Sequence, residues 1–95
     1  MRDFEYDTIK SLKNKEKHGI CFEEGQKVWN DLDCVELEAK TINELRFYKI
    51  GLYNDKLWAA FFTERNSKIR IISIRRARKE EKELYDREKD NRRRT

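Results

Sequence analysis

A chain of 95 residues with 37% hydrophobic and 44% charged side chains holds apolar material for one core and no more. No stretch approaches the roughly 20 apolar residues that cross a bilayer, and the opening MRDFEYDTIK lacks the apolar centre of a signal peptide, so the expected location is the cytoplasm. Two cysteines without CxxC spacing and a single histidine are too few soft ligands for a structural zinc site, so no metal or cofactor is expected, and Cys21 and Cys34 read as reduced thiols.

In chain order, Phe4 and Tyr6 alternate with Asp3, Glu5 and Asp7 in a short strand-like opening. Asp7 can cap a helix carrying Ile9 and Leu12, which should stop at Gly19, where glycine relieves left-handed backbone strain and His18 meets the negative helix end. A second helix is predicted over Phe22 to Asn30, with Glu23 and Glu24 in its first turn and Phe22, Gly25, Val28 and Trp29 on one side. The periodicity then changes to two over Val35–Ala39, Leu45–Tyr53, Leu57–Thr63 and Ile69–Ile74, which read as successive antiparallel strands. Asn54-Asp55 predicts a tight turn, and Glu64 to Ser67 a longer polar one. The run LWAAFF, with Trp58, Phe61 and Phe62, predicts a central strand covered on both faces. Alternation in the next strand puts Arg70, Ile72 and Ile74 on one face and Ile69, Ile71 and Ser73 on the other. Ala77 to about Lys89 predicts a last helix docking by the narrow stripe Ala77, Leu84 and Tyr85. The expected fold is α+β: a small antiparallel meander with two N-terminal helices and a C-terminal helix packed on it. With no proline, repeat or Gly/Ser-rich linker, one domain is expected over residues 1–89, followed by a polar basic tail, 90–95, that frays.

Charge is unevenly placed. Residues 1–74 hold 13 Lys and Arg against 13 Asp and Glu, whereas 75–95 hold 10 against 6, which is the whole net charge of +4. Nine of eleven arginines follow residue 64. Guanidinium groups donate in a bidentate fork, so this cluster suits phosphate; a solvated ion-pair helix is the competing reading, because Glu80, Glu81, Glu83, Asp86 and Glu88 interleave with the bases. Arg70, emerging beside the core, needs a partner, either a carboxylate such as Glu64 or Glu44 or an incoming phosphate.

Several segments taken together, Phe4-Glu5-Tyr6-Asp7, Lys15-Glu16-Lys17-His18-Gly19-Ile20 with Phe22-Glu23-Glu24, Glu44-Leu45-Arg46, Thr63-Glu64-Arg65, and Ile69 through Ala77 followed by Glu81 and Tyr85, resemble the BrnT family of toxins. The resemblance runs from residue 3 to about 88. It implies a single RelE-like ribonuclease toxin domain from a bacterial type II toxin-antitoxin operon, neutralised by a BrnA-type antitoxin that represses the operon through its own DNA-binding part. It also implies a hetero-oligomeric complex, with operator DNA reached only through the antitoxin. The chain departs from the family pattern at Tyr6, where tryptophan is usual, at Thr8, often proline, and at Gly25, where alanine is favoured.

Metal-independent RNA cleavage needs a base for the 2′-hydroxyl proton, cations for the pentacoordinate phosphate and an acid for the leaving 5′-oxygen. Arg65, Arg70, Arg75 and Arg76 suit the phosphate, with Arg46, Arg78 and Lys82 as further RNA contacts and the arginine-rich tail adding salt-dependent attraction. His18 is the natural acid or base, or a helix cap; Tyr85 is an acid, a stacking partner or a core anchor; Glu64 is a base or an ion-pair partner. The alternative is a module with weak or no nuclease activity whose charged face binds the antitoxin or nucleic acid.

Overall fold

The computed structural model describes residues 3–40 and 44–94; Met1 and Arg2, at the start of the expected domain, and Thr95, at the end of the expected tail, lie outside the described residues. Strand β1 (Asp3–Glu5) leads into α1 (Thr8–His18), α2 (Phe22–Gly25) and a 3₁₀ helix over Gln26–Asn30. Strands β2 (Val35–Ala39), β3 (Arg46–Tyr53), β4 (Lys56–Arg65) and β5 (Lys68–Arg76) follow, and α3 (Lys79–Arg93) ends the described chain. The fold is α+β, with one five-stranded sheet in the order β1-β5-β4-β3-β2.

Strands β2 to β5 form the expected antiparallel meander. The opening segment adds a fifth strand in the parallel sense, pairing Phe4 with Ile69 and Glu5 with Arg70. Period-two patterning marks a strand without giving its direction, so this pairing was not readable from the residues. Both two-residue turns have positive φ at their central positions, Asn54 and Asp55 in one and Asn66 and Ser67 in the other. The expected longer turn over Glu64 to Ser67 is therefore a tight hairpin, because Asn66 tolerates the left-handed region and lets β4 and β5 pair to Arg65↔Lys68.

A bulge between Phe61 and Phe62 resets the faces of β5: Ser73 lies opposite Phe61 but Ile71 lies opposite Phe62. Ile72 is the extra residue, and Ile69, Ile71 and Ile74 consequently share one buried face, correcting the simple alternation predicted above. The first core, Ile20, Phe22, Val28, Trp58, Ala60, Phe62 and those three isoleucines, lies between this face and the N-terminal helices. The second core, Val35, Ile50, Ala77 and Tyr85 with Leu37, Tyr48, Leu57 and Leu84, lies on the other face, where α3 docks. Phe61 is only half-buried, so the predicted two-sided cover of LWAAFF fails at that residue.

Helix α1 turns polar side chains inward. Ser11 and Asn14 are buried, while Ile9 and Leu12, its expected apolar stripe, are 65% and 63% exposed. The reason is the short β1, whose pairing with β5 ends at Arg70. The free edge beyond it is satisfied by Asn14, whose amide oxygen accepts from Ile74 N at 3.1 Å and whose nitrogen donates to Ile74 O at 2.9 Å and Ile20 O at 2.8 Å. Ser11 Oγ accepts from Phe22 N at 2.8 Å. Asp7 caps α1 through Ile9 N and Lys10 N, and Gly19 closes it at φ 82°, both as predicted.

The predicted second helix divides into α2 and the 3₁₀ helix because the chain must pass tightly over the sheet: a Cβ at Gly51 would stand 2.8 Å from Val28 O, and a Cβ at Gly25 would overlap Cδ1 of Ile74. The Gly25 departure from the family pattern is thus filled by Ile74. Cys21 opens α2, its Sγ accepting from Glu24 N at 3.4 Å, and Glu24 bridges to Lys15 at 2.7 Å. Cys34 is a half-buried free thiol whose pKa burial pushes up, against reactivity. Helix α3 continues past Lys89 into the expected tail, where Arg92 donates to Leu32 O at 3.4 Å and Cys34 O at 3.3 Å.

Acid should loosen this framework. The Lys15 ammonium, then the Cys21 thiol and backbone, hold the Glu24 carboxyl down at about 2, below its ordinary 4.5. A carboxylate with a depressed folded-state pKa contributes stability above its unfolded value and loses it as pH falls through the folded one. The urea midpoint should therefore drop between about pH 4.5 and 2, and less steeply in Glu24→Gln. A midpoint that stays level over this range would remove Glu24 from the account.

Candidate active site

The face of the sheet opposite α1 is covered by α3 only toward Ile50, Val35 and Ala77. The uncovered part is organised in rows by strand register. Ala39 pairs with Arg46, Thr63 with Arg70 and Arg70 with Glu5, and the neighbouring Phe47–Phe62 pair sets Arg46 beside Thr63, so one row crosses all five strands. In the next row Leu37 pairs with Tyr48, Tyr48 with Phe61 and Phe61 with Ser73. In the third, Ile50 pairs with Ala59 and Ala59 with Arg75, under the start of α3.

The arginines differ in what holds them. Arg75 is the most constrained, donating to both oxygens of Glu81 at 2.8 and 2.9 Å and lying 5.1 Å from the Phe61 ring centroid. Glu81 is placed by the first turn of α3, where it also accepts from Arg78 N at 2.7 Å. Burial pushes the Glu81 carboxyl up, but Arg75 and the Arg78 N–H outweigh it and leave it below the ordinary range, so this pair is ionised at neutral pH. Arg70 meets Glu5 at 3.7 Å, a looser contact with both side chains about one-third exposed. Glu44 takes Arg46 at 3.0 Å and reaches Arg65 at 4.0 Å. Arg65 and Arg46 are 59% and 42% exposed, against 21% for Arg75. These cations surround the rings of Tyr48 and Phe61, stacked with centroids 5.0 Å apart and 16° between planes.

Arg46, Arg65, Arg70 and Arg75 therefore lie on one face. The six other predicted site residues are not grouped with them. Arg76 is exposed on the opposite face, 5.5 Å from the Trp58 ring centroid. Glu64, one step from Arg65 on β4, shares the opposite face with Phe62 and pairs with Ile69. His18 ends α1 and lines a cavity against Ile72 and Ser73 at the edge of β5.

Tyr85 is 3% exposed, and its hydroxyl donates to Asp31 Oδ2 at 2.7 Å. Burial, then the Asp31 carboxylate, push its pKa well up, so of its three readings the core anchor fits. Arg78 caps α3 by its backbone, and both it and Lys82 are exposed on or next to α3, outside the rows. Among the described residues, the carboxylate that meets Arg70 is Glu5, which was not one of the two expected. Glu5, Tyr48, Phe61 and Thr63 were missed as site neighbours; Glu5 follows only from the parallel pairing of β1, and Tyr48 and Phe61 read as ordinary strand hydrophobics.

No curated protein matches the chain closely enough to count as a relative. A family model, described as the ribonuclease toxin BrnT of type II toxin-antitoxin systems, matches residues 6–81 and so takes in β2 to β5, both N-terminal helices and the Arg75–Glu81 pair. The chain belongs to the BrnT family of ribonuclease toxins.

Proposed function

We propose that the protein is a metal-independent endoribonuclease of RelE-like type, which stops translation and growth by cleaving RNA on the open sheet face. The observation that carries the reading is the row Arg46, Thr63, Arg70 and Glu5 lying beside the stacked Tyr48–Phe61 pair. A nucleobase stacks against the ring pair, which places its phosphate among Arg46, Arg65 and Arg70. These guanidinium groups stay charged at any working pH and stabilise charge gathering on the phosphoryl oxygens.

Glu5, the carboxylate facing Arg70, accepts the 2′-hydroxyl proton. The 2′-oxygen bonds to phosphorus, the bond to the 5′-oxygen breaks, and that oxygen takes a proton from water at the open face. The products are a 2′,3′-cyclic phosphate and a 5′-hydroxyl. Arg75, tied to Glu81, acts by holding the edge of the ring platform.

The same basic face suits a BrnA-type antitoxin that lays carboxylates on the arginines, with operator DNA bound by the antitoxin alone. The toxin works in the cytoplasm as one domain. The test is purified protein, freed of partner, with ribosome-free RNA in EDTA and the product ends analysed. Cyclic or 3′-phosphate ends beside 5′-hydroxyls are expected. Absence of cleavage with and without added ribosomes would overturn the reading.

A further inference from the structure

Helix α1 carries a second concentration of positive charge, away from the arginine rows. Lys10, Lys13 and Lys17 stand at positions i, i+3 and i+7 and so form one stripe, with His18 at its end. Together with Asn14, Phe22, Ile72 and Ser73 they line an open cavity of about 210 Å³. Among the described residues no carboxylate forms an ion pair with any of these four side chains, whereas Lys15, on the same helix but outside the cavity, is bridged to Glu24 at 2.7 Å. Like charges three and four residues apart destabilise a helix. On the cavity side no ion pair among the described residues offsets that cost.

The cavity is joined to the arginine face through one residue. Ser73 lines it and also pairs with Phe61 in the β4–β5 ladder, on the row between Arg70 and Arg75. The bulge at Ile72 places both residues at the β5 edge facing α1. Asn14 is occupied by the backbone of Ile20 and Ile74, so the polar groups left for a ligand are three ammonium groups, the imidazole and the Ser73 hydroxyl. This donor set suits a phosphate, and the volume takes one phosphate group with several waters.

We infer that Lys10, Lys13, Lys17, His18 and Ser73 form a second phosphate subsite, which holds the RNA backbone where the strand leaves the arginine face over the edge of β5. The inference rests on RNA being the substrate of that face. An acidic protein segment is the weaker occupant, because Phe22 and Ile72 alone offer apolar contact and Phe22 is 1% exposed.

The probe is a fluorescein-labelled single-stranded RNA of about 12 nucleotides, 2′-O-methylated so that it cannot be cleaved, titrated by anisotropy between about 50 and 200 mM salt. The three lysines are exposed, so Lys10→Gln/Lys13→Gln/Lys17→Gln should fold, as circular dichroism will check. Its log K against log salt slope should be shallower by about 1 to 2, since each phosphate contact to a single strand contributes about 0.7, and affinity at the lowest salt should fall at least about tenfold. Lys27→Gln/Lys56→Gln/Lys79→Gln removes equal charge elsewhere and should change the slope by less than half as much. An unchanged slope in the first variant, an equal change in the second, or loss of antitoxin binding with RNA binding intact would each overturn the subsite. Wild-type protein that neither binds this RNA nor cleaves its unmethylated form would instead overturn the ribonuclease reading itself.

Discussion

Arg70→Ala should reduce RNA cleavage by about 10²–10³-fold, the cost of removing one donor that stabilises developing negative charge. Its stability should change by less than about 1 kcal/mol. The ion pair it gives up, to Glu5 at 3.7 Å, joins two partly exposed side chains, and such pairs contribute about 0–1 kcal/mol. Among the arginines of the face, Arg70 is the clearest test. Arg75 is committed to Glu81 through two short hydrogen bonds, so its removal strands a half-buried carboxylate and confuses catalysis with folding. Cleavage kinetics beside urea unfolding separate the two effects. Full activity in Arg70→Ala, or a loss of stability that accounts for the lost activity, would make Arg70 structural. Arg70→Lys keeps the charge but loses the planar fork, and it should recover only part of the rate.

Asp31→Ala should cost about 2–4 kcal/mol of stability, because it leaves three donors without their acceptor. Asp31 Oδ2 accepts from the Tyr85 hydroxyl at 2.7 Å and from Leu52 N at 2.8 Å, and Oδ1 accepts from Asp33 N at 2.9 Å. One carboxylate thus ties α3 to the end of β3 and to the loop before β2. Burial pushes this carboxyl up, but the Tyr85 hydroxyl and the two N–H groups prevail and hold it below its ordinary 3.8. Tyr85→Phe removes one donor and keeps the ring in the core, so about 1.5–3 kcal/mol is expected, with cleavage intact at temperatures where the variant is folded. For a domain of this size each kcal/mol lowers Tm by about 4–8 °C, so thermal melts resolve both variants. Loss of cleavage in a folded Tyr85→Phe protein would return the hydroxyl to the chemistry.

Much of the fold was legible because its determinants are local. The Asp7 cap, the Gly19 stop, the Asn54-Asp55 turn and the four antiparallel strands each follow from side chains acting within a few residues. The arginines of the face were legible for a related reason: strand period alone puts Arg46 beside Tyr48, and Arg65 beside Thr63 and Phe61. The family followed from the order and spacing of five short segments, and the match over residues 6–81 agrees with it.

What failed depended on contacts between distant parts of the chain. One bulged residue, Ile72, moved Ile74 into the core with Ile69 and Ile71 and set Ser73 across from Phe61, a shift that no alternation rule contains. Asn14 displaced Ile9 and Leu12 from the inner side of α1 because the backbone of Ile74, 60 positions later, required a donor and an acceptor. Glu5 reached Arg70 only through a parallel pairing that spans most of the domain. The sequence by itself determined the inventory: a basic arginine-rich end, four antiparallel strands and the family. Tertiary structure decided which of the predicted groups share a surface, because facing across a sheet depends on register, bulges and edge satisfaction, and those are set only when the strands meet.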